Sequence, residues 1–169
     1  NTTNDEKSGS VIVASQVVTR VTCIEEFTSN TCVPCASLNS TFDPLLDDNN
    51  TNVSGPTFSN VTAIKYQMNW PSPGNDPSYN NHGLARRAHY NVMGIPYTIL
   101  NGRTEMTNHT QAEIDAAVAE PAFADITATL SAKGSTNAAA NTTVAASATI
   151  TPYVSIPNNS PLRVFQAIM

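Results

Sequence analysis

Val21-Thr22-Cys23-Ile24-Glu25-Glu26-Phe27, followed by the polar turn Thr28-Ser29-Asn30-Thr31 and then Cys32-Val33-Pro34-Cys35, is the stretch on which the fold is decided. β-Branched and aromatic residues dominate its first seven positions, with no Gly or Pro among them, which predicts a buried or half-buried strand. After the second cysteine, Ala36, Leu38, Phe42, Leu45 and Leu46 recur at helical spacing, and the Asp47-Asp48-Asn49-Asn50 cluster closes the run. The order is strand, paired cysteines, helix. Two thiols separated by two residues can close a small disulfide ring and reopen it. A helix N-terminus lowers the pKa of a thiol lying on it. Cys32, nearest that terminus and expected to be the more exposed, is therefore the candidate nucleophile, and Cys35, one turn in, the resolving thiol.

Upstream, residues 1–10 are polar and read as a solvated tail, while Val11 to Val13 with Gln16 to Val18 predict an edge strand. Downstream, Asn49 to Ser59 carries Gly55-Pro56 and reads as a loop. Val61 to Met68 alternates and predicts a parallel strand. Trp70 to Asn81 holds three prolines and a glycine, an irregular excursion in which Trp70 either walls a groove or anchors the segment. His82 to Val92 regains helical spacing through Leu84, Ala88 and Val92. A strand then runs to Leu100, and Asn101-Gly102-Arg103 signals a type I′ hairpin into a short partner near Arg103 to Met106. Thr110 with Glu113 makes a capping box for a helix that Pro121 stops. From Phe123 the pattern changes. Ala124 to Ala132 and Thr142 to Thr151 alternate small apolar residues with Ser and Thr, and Leu162 to Met169 is a third strand candidate. Three strands leave open edges, so completion by further residues or by another subunit, and self-assembly through this segment, are expected.

These residues resemble the thioredoxin-like superfamily over about residues 18–120, and three features besides the cysteines carry the likeness. Glu26-Phe27 stands six and five residues before Cys32, where that family has a buried acid and a core Phe. Tyr90 to Leu100 resembles the segment that ends a helix, turns at Gly94 and enters a strand through Pro96. Asn101-Gly102-Arg103 follows as the hairpin. The resemblance implies an α/β fold, a thioredoxin-like sandwich of a central mixed sheet flanked by helices, here followed by the start of a β-sandwich-like module. It implies a division into 1–10 (tail), 11–121 (thioredoxin-like) and 122–169 (β-rich). It also implies that Glu26 moves protons to and from Cys35, that the bond before Pro96 is cis, and that the Ile95 backbone pairs with an extended substrate. Two departures stand out: Thr31 occupies the position of a family Trp, and Val33-Pro34 replaces Gly-Pro, so a redox potential does not carry over. More narrowly, the chain is similar to secreted or outer-membrane-associated thioredoxin-fold proteins of Gram-negative bacteria.

Composition narrows the function classes. The 169 residues are only 12% charged and carry a net charge of −5. No cluster of Lys and Arg interleaves with aromatic residues, so nucleic acid is not an expected partner. No apolar run approaches the roughly 20 residues that span a bilayer. His82 and His89 lack a matching carboxylate or thiol, and the Asp47 run lacks the alternation of a calcium loop, so neither a metal nor a cofactor is expected. Arg86-Arg87 reads as solvated surface. Cys23, opposite in parity to Glu26, reads as a core thiol on the other face. Two functions follow. One is thiol-disulfide exchange with protein thiols or disulfides, in a secreted, cell-surface, outer-membrane-associated or periplasmic protein; Glu26 and Pro96 favour it. The other is a surface structural, adhesin or filament subunit in which Cys32–Cys35 is a static staple; the β-rich tail, the low charge and the absent Trp favour that.

Overall fold

The computed structural model describes residues 11, 13–50, 59–131 and 145–156. Their elements are β1 (Thr22–Thr28), α1 (Val33–Asn49), β2 (Val61–Gln67), α2 (Asn81–Tyr90), β3 (Tyr97–Leu100), β4 (Thr104–Glu105), α3 (Gln111–Val118), β5 (Ala124–Ser131) and β6 (Ala145–Pro152). The fold is mixed α/β. A four-stranded sheet runs in the order β2-β1-β3-β4, with β1 parallel to β2 and antiparallel to β3, and a separate antiparallel pair is formed by β5 and β6.

Because β1 lies between β2 and β3, its alternate residues feed two cores. Ile24 joins Phe42 and Leu46 of α1, Ile114 and Ala117 of α3, and Val61 and Leu100. On the other face Phe27 joins Met68, Val92 and Ile99, with Tyr66, Trp70 and Tyr90 packed against them. Burying a side chain such as Phe27 or Phe42 stabilises the fold by roughly 2–3 kcal/mol. α1 and α3 therefore share one face of the sheet and α2 covers the other.

Local signals account for the element ends. Pro34 sits in the first turn of α1, where its missing N–H is an orphan in any case. Pro44 lies within the same helix on its exposed side. At the hairpin, Asn101 and Gly102 both have positive φ, 52° and 72°, and the Arg103 N–H donates to the Leu100 carbonyl at 3.1 Å. Thr110 N–H donates to Glu113 Oε2 at 3.1 Å, the returning half of the capping box.

α2 packs otherwise than its apolar spacing predicts. Leu84 and Ala88 are exposed, and Gly83, Arg86 and Tyr90 face the sheet instead. Gly83 is buried against the sheet, where a Cβ would stand in ordinary van der Waals contact, 3.4 Å from Met68 Cε, leaving little room for anything larger than a methyl group.

The chain divides into two compact units, one of them Thr19–Glu120. Residues 11–18 are expected as an edge strand of the first domain, but the described residues among them form no strand and fall in the other unit. Ala14 bridges Val154 and Val18 bridges Ala122, so single backbone contacts tie this segment to the β5–β6 region rather than a ladder to the main sheet. In that unit the Tyr153 hydroxyl donates to Asp125 Oδ2 at 2.5 Å, and Ile126 pairs with Ile150 across the strands on exposed positions. The polar tail 1–10, the turns at 133–135 and 157–159 and the third strand expected at 162–169 lie outside the described residues.

Candidate functional site

β1 ends at Thr28, and Ser29 to Cys32 turn the chain into α1. The Cys32 N–H donates to the Ser29 carbonyl at 3.1 Å, and Cys32 takes the extended backbone of an N-cap. There it is disulfide-bonded to Cys35, with the two Cα atoms 5.2 Å apart. The Cys35 N–H, an orphan donor of the first helical turn, points at Cys32 Sγ from 3.1 Å. In the dithiol form such a donor stabilises a thiolate on Cys32. From the other side the carbonyl oxygen of Ile95 lies 3.9 Å from the same sulfur, and the Ile95–Pro96 bond is cis. Cys32, Cys35, Ile95 and Pro96, far apart in sequence, are thus brought together.

Exposure differs from expectation. Cys32 retains 2% of its surface and Cys35 none, whereas Val33 and Met93 are 78% and 77% exposed. Cys32 is buried, not open, although its chain neighbour is in solvent.

Glu26 is buried on the α1 face. Its Oε2 lies 2.8 Å from Lys65 Nζ, its register partner on β2, but too obliquely for a hydrogen bond. Lys65 is shared: it also meets Asp43 on α1 and donates to Asn39 Oδ1 at 2.9 Å. Burial pushes the Glu26 carboxyl above its usual range, and the Lys65 ammonium only partly offsets it. No hydrogen bond joins Glu26 to either sulfur among the described residues. The sequence does not mark Lys65 as a partner of Glu26; its one signal is a lysine at an alternating position of an otherwise half-buried strand.

The opposite face of β1 carries a cluster that the sequence did not reveal. Glu25 is buried and held by Arg86 through both carboxylate oxygens, Nε to Oε1 at 2.6 Å and Nη2 to Oε2 at 2.8 Å. The Tyr66 and Tyr90 hydroxyls donate to it at 3.1 and 2.5 Å. Burial opposes its ionisation, but Arg86 and the two phenols outweigh that and hold the carboxyl below its usual range. Burial and the Glu25 charge in turn push Tyr66 up to about 12. Arg86-Arg87 is therefore not solvated surface. Arg87 stacks 4.8 Å from the Trp70 ring and donates to the Val92 carbonyl at 2.8 Å. Cys23 is half-buried in the strand, and desolvation with the Glu25 charge raises its pKa.

Among the described residues no group of His, Cys, Asp and Glu is arranged to hold a metal ion, and no helix is long and apolar enough to cross a membrane. No family model matches the chain, and no curated protein matches it. Among solved structures it is similar to the crystal structure of protein AGR_C_4864 from Agrobacterium tumefaciens, at 18% identity and a TM-score of 0.45. The likeness covers 59% of this chain and 45% of the other, so the chain spans less than half of that protein's length.

Proposed function

We propose that Thr19–Glu120 is a thioredoxin-like thiol-disulfide exchange domain acting on protein thiols or disulfides. One observation carries this: the Cys32 sulfur caps α1, faces the Cys35 N–H at 3.1 Å and lies 3.9 Å from the Ile95 carbonyl. A sulfur so placed is a good leaving group and a good nucleophile at neutral pH. Cys32 attacks a substrate disulfide, Cys35 resolves the mixed disulfide, and the Ile95 backbone offers an edge to an extended substrate. Glu26, with its carboxyl raised by burial, is the group that passes protons to and from Cys35 in this reading. The strand order β2-β1-β3-β4, with α1 and α3 on one face and α2 on the other, supports the family reading. A disulfide persists in an oxidising compartment, in keeping with a secreted, cell-surface, outer-membrane-associated or periplasmic protein.

A second reading, a surface structural, adhesin or filament subunit with a static Cys32–Cys35 staple, is favoured by the burial of both sulfurs. Equilibration against a glutathione redox series, together with turnover of insulin disulfides, separates the two. Exchange predicts reversible titration and insulin turnover that Cys32→Ser abolishes. A pair that opens only in strong reductant and turns over nothing would establish the staple.

A further inference from the structure

The segment from Asn69 to Asn80, between β2 and α2, is wired to the turn that delivers Cys32. Asp76 is buried despite its charge. Its Oδ1 accepts the Ser78 N–H at 2.9 Å, closing an Asx turn over Pro77. Its Oδ2 accepts the N–H of Asn30, 46 residues away and two before Cys32, at 2.9 Å. A second strap lies beside the first. The Thr31 hydroxyl donates to the Pro71 carbonyl at 2.8 Å, and the same carbonyl takes the Gly74 N–H at 2.9 Å. The root of the segment is fixed by Trp70, packed on the Phe27 and Met68 cluster under the Arg87 guanidinium. Cys32 thus ends a turn strapped to this segment, and its sulfur lies 3.9 Å from the Ile95 carbonyl. Its burial is local, since Val33 next to it is open to solvent.

We infer that the Asn69–Asn80 segment is a latched cover on the Cys32 sulfur, with Asp76 as the main latch and Thr31 as the lesser one, and that it admits small thiols more readily than bulky ones. This deepens the exchange function proposed above and rests on it for its biological use. Asp76 is a positioning residue; it touches no reacting atom. The chemistry it governs is ordinary. An incoming thiolate bonds to Cys32 Sγ as the Cys32–Cys35 bond breaks, and the electron pair passes to Cys35, which takes a proton by way of Glu26, itself reprotonated from solvent. A second thiolate then attacks the mixed disulfide, leaving Cys32 as a thiolate and the reductant as its own disulfide. The first attack needs room behind Cys32 Sγ, and the strapped segment limits that room. A hydrogen bond to a charged acceptor is strong enough that losing it raises the open population by about tenfold.

Rates of disulfide reduction at pH 7 by dithiothreitol and by glutathione, measured on the whole chain, test this. Asp76→Ala is expected to speed reduction by glutathione about tenfold and by dithiothreitol about threefold, so that the ratio of the two rates shifts. Asp76→Asn, which keeps one acceptor but turns an NH2 donor toward either the Asn30 or the Ser78 N–H, is expected to shift the ratio in the same direction as Asp76→Ala by a smaller factor. Thr31→Val is expected to move the ratio in the same direction by a smaller factor, and it supplies the test should Asp76→Ala not fold. A general loosening of the fold would speed both reductants alike. An unchanged ratio in Asp76→Ala and Thr31→Val overturns the cover. Should glutathione fail to open the wild-type disulfide yet open that of Asp76→Ala, the cover stands and the exchange function falls. Rapid wild-type exchange with an unchanged ratio has the opposite meaning.

Discussion

Glu25 and Glu26 are neighbours in the chain and opposites in their surroundings. Both are buried glutamates on β1, one facing α2 and the other α1. Glu25 meets a two-pronged guanidinium and two phenols, so its charge is favoured and its carboxyl lies low. Glu26 meets a lysine that it shares with Asp43 and Asn39, at an angle that makes no hydrogen bond, and its carboxyl lies high. Burial is the common cost; the number and direction of donors decide the outcome. The face with a fully satisfied carboxylate is built for stability. The face with an under-satisfied one adjoins the helix that carries the disulfide.

The largest test of this contrast is Arg86→Ala, which strands the Glu25 charge and is expected to cost about 4 kcal/mol in urea unfolding. A loss below about 1 kcal/mol would mean that the α2 face does not depend on the pair. Next is Gly83→Leu, which forces a side chain between α2 and Met68 and is expected to cost roughly 2 kcal/mol by the same assay. The smallest effect has the opposite sign. Glu26→Gln is expected to stabilise the fold at neutral pH by about 1 kcal/mol, because it removes an ion whose burial is poorly offset. The pH dependence sharpens the difference. With its folded pKa raised, Glu26 contributes most below the ordinary carboxylate value of about 4.3 and loses that contribution as pH rises through the raised value, so the Gln advantage fades in acid. With its folded pKa lowered, Glu25 contributes above about 4.3 and is lost as pH falls through the lowered value. Thermal unfolding of wild type, Glu25→Gln and Glu26→Gln across pH 3–8 reads both signs.

Local chemistry was legible in the sequence because it is written in adjacent residues. The strand before Cys32, the helix after Cys35, the Asn101-Gly102 turn and the Thr110–Glu113 box each need only a few positions to specify them. Pairings across the sheet were not legible. Lys65 reaches Glu26 through the β1–β2 register, Arg86 reaches Glu25 across 61 residues, and Asp76 reaches Asn30 across 46. Nothing in the local pattern fixes such partners until the strands are aligned. The apolar period also misread α2, which buries a glycine and the stems of Arg86 and Tyr90 rather than Leu84. The burial of Cys32 was equally illegible, since the Ile95 carbonyl that meets its sulfur comes from 63 residues away.

The most direct measurement is the pH dependence of Cys32 alkylation in the reduced protein, with the modified residue identified by mass. A sulfur that caps α1 and faces the Cys35 N–H is predicted to react first and to titrate below a free thiol, which ionises at about 8.5. A Cys32 that titrates at or above the free value, or that resists modification until the protein unfolds, would contradict the assignment of an exchanging pair.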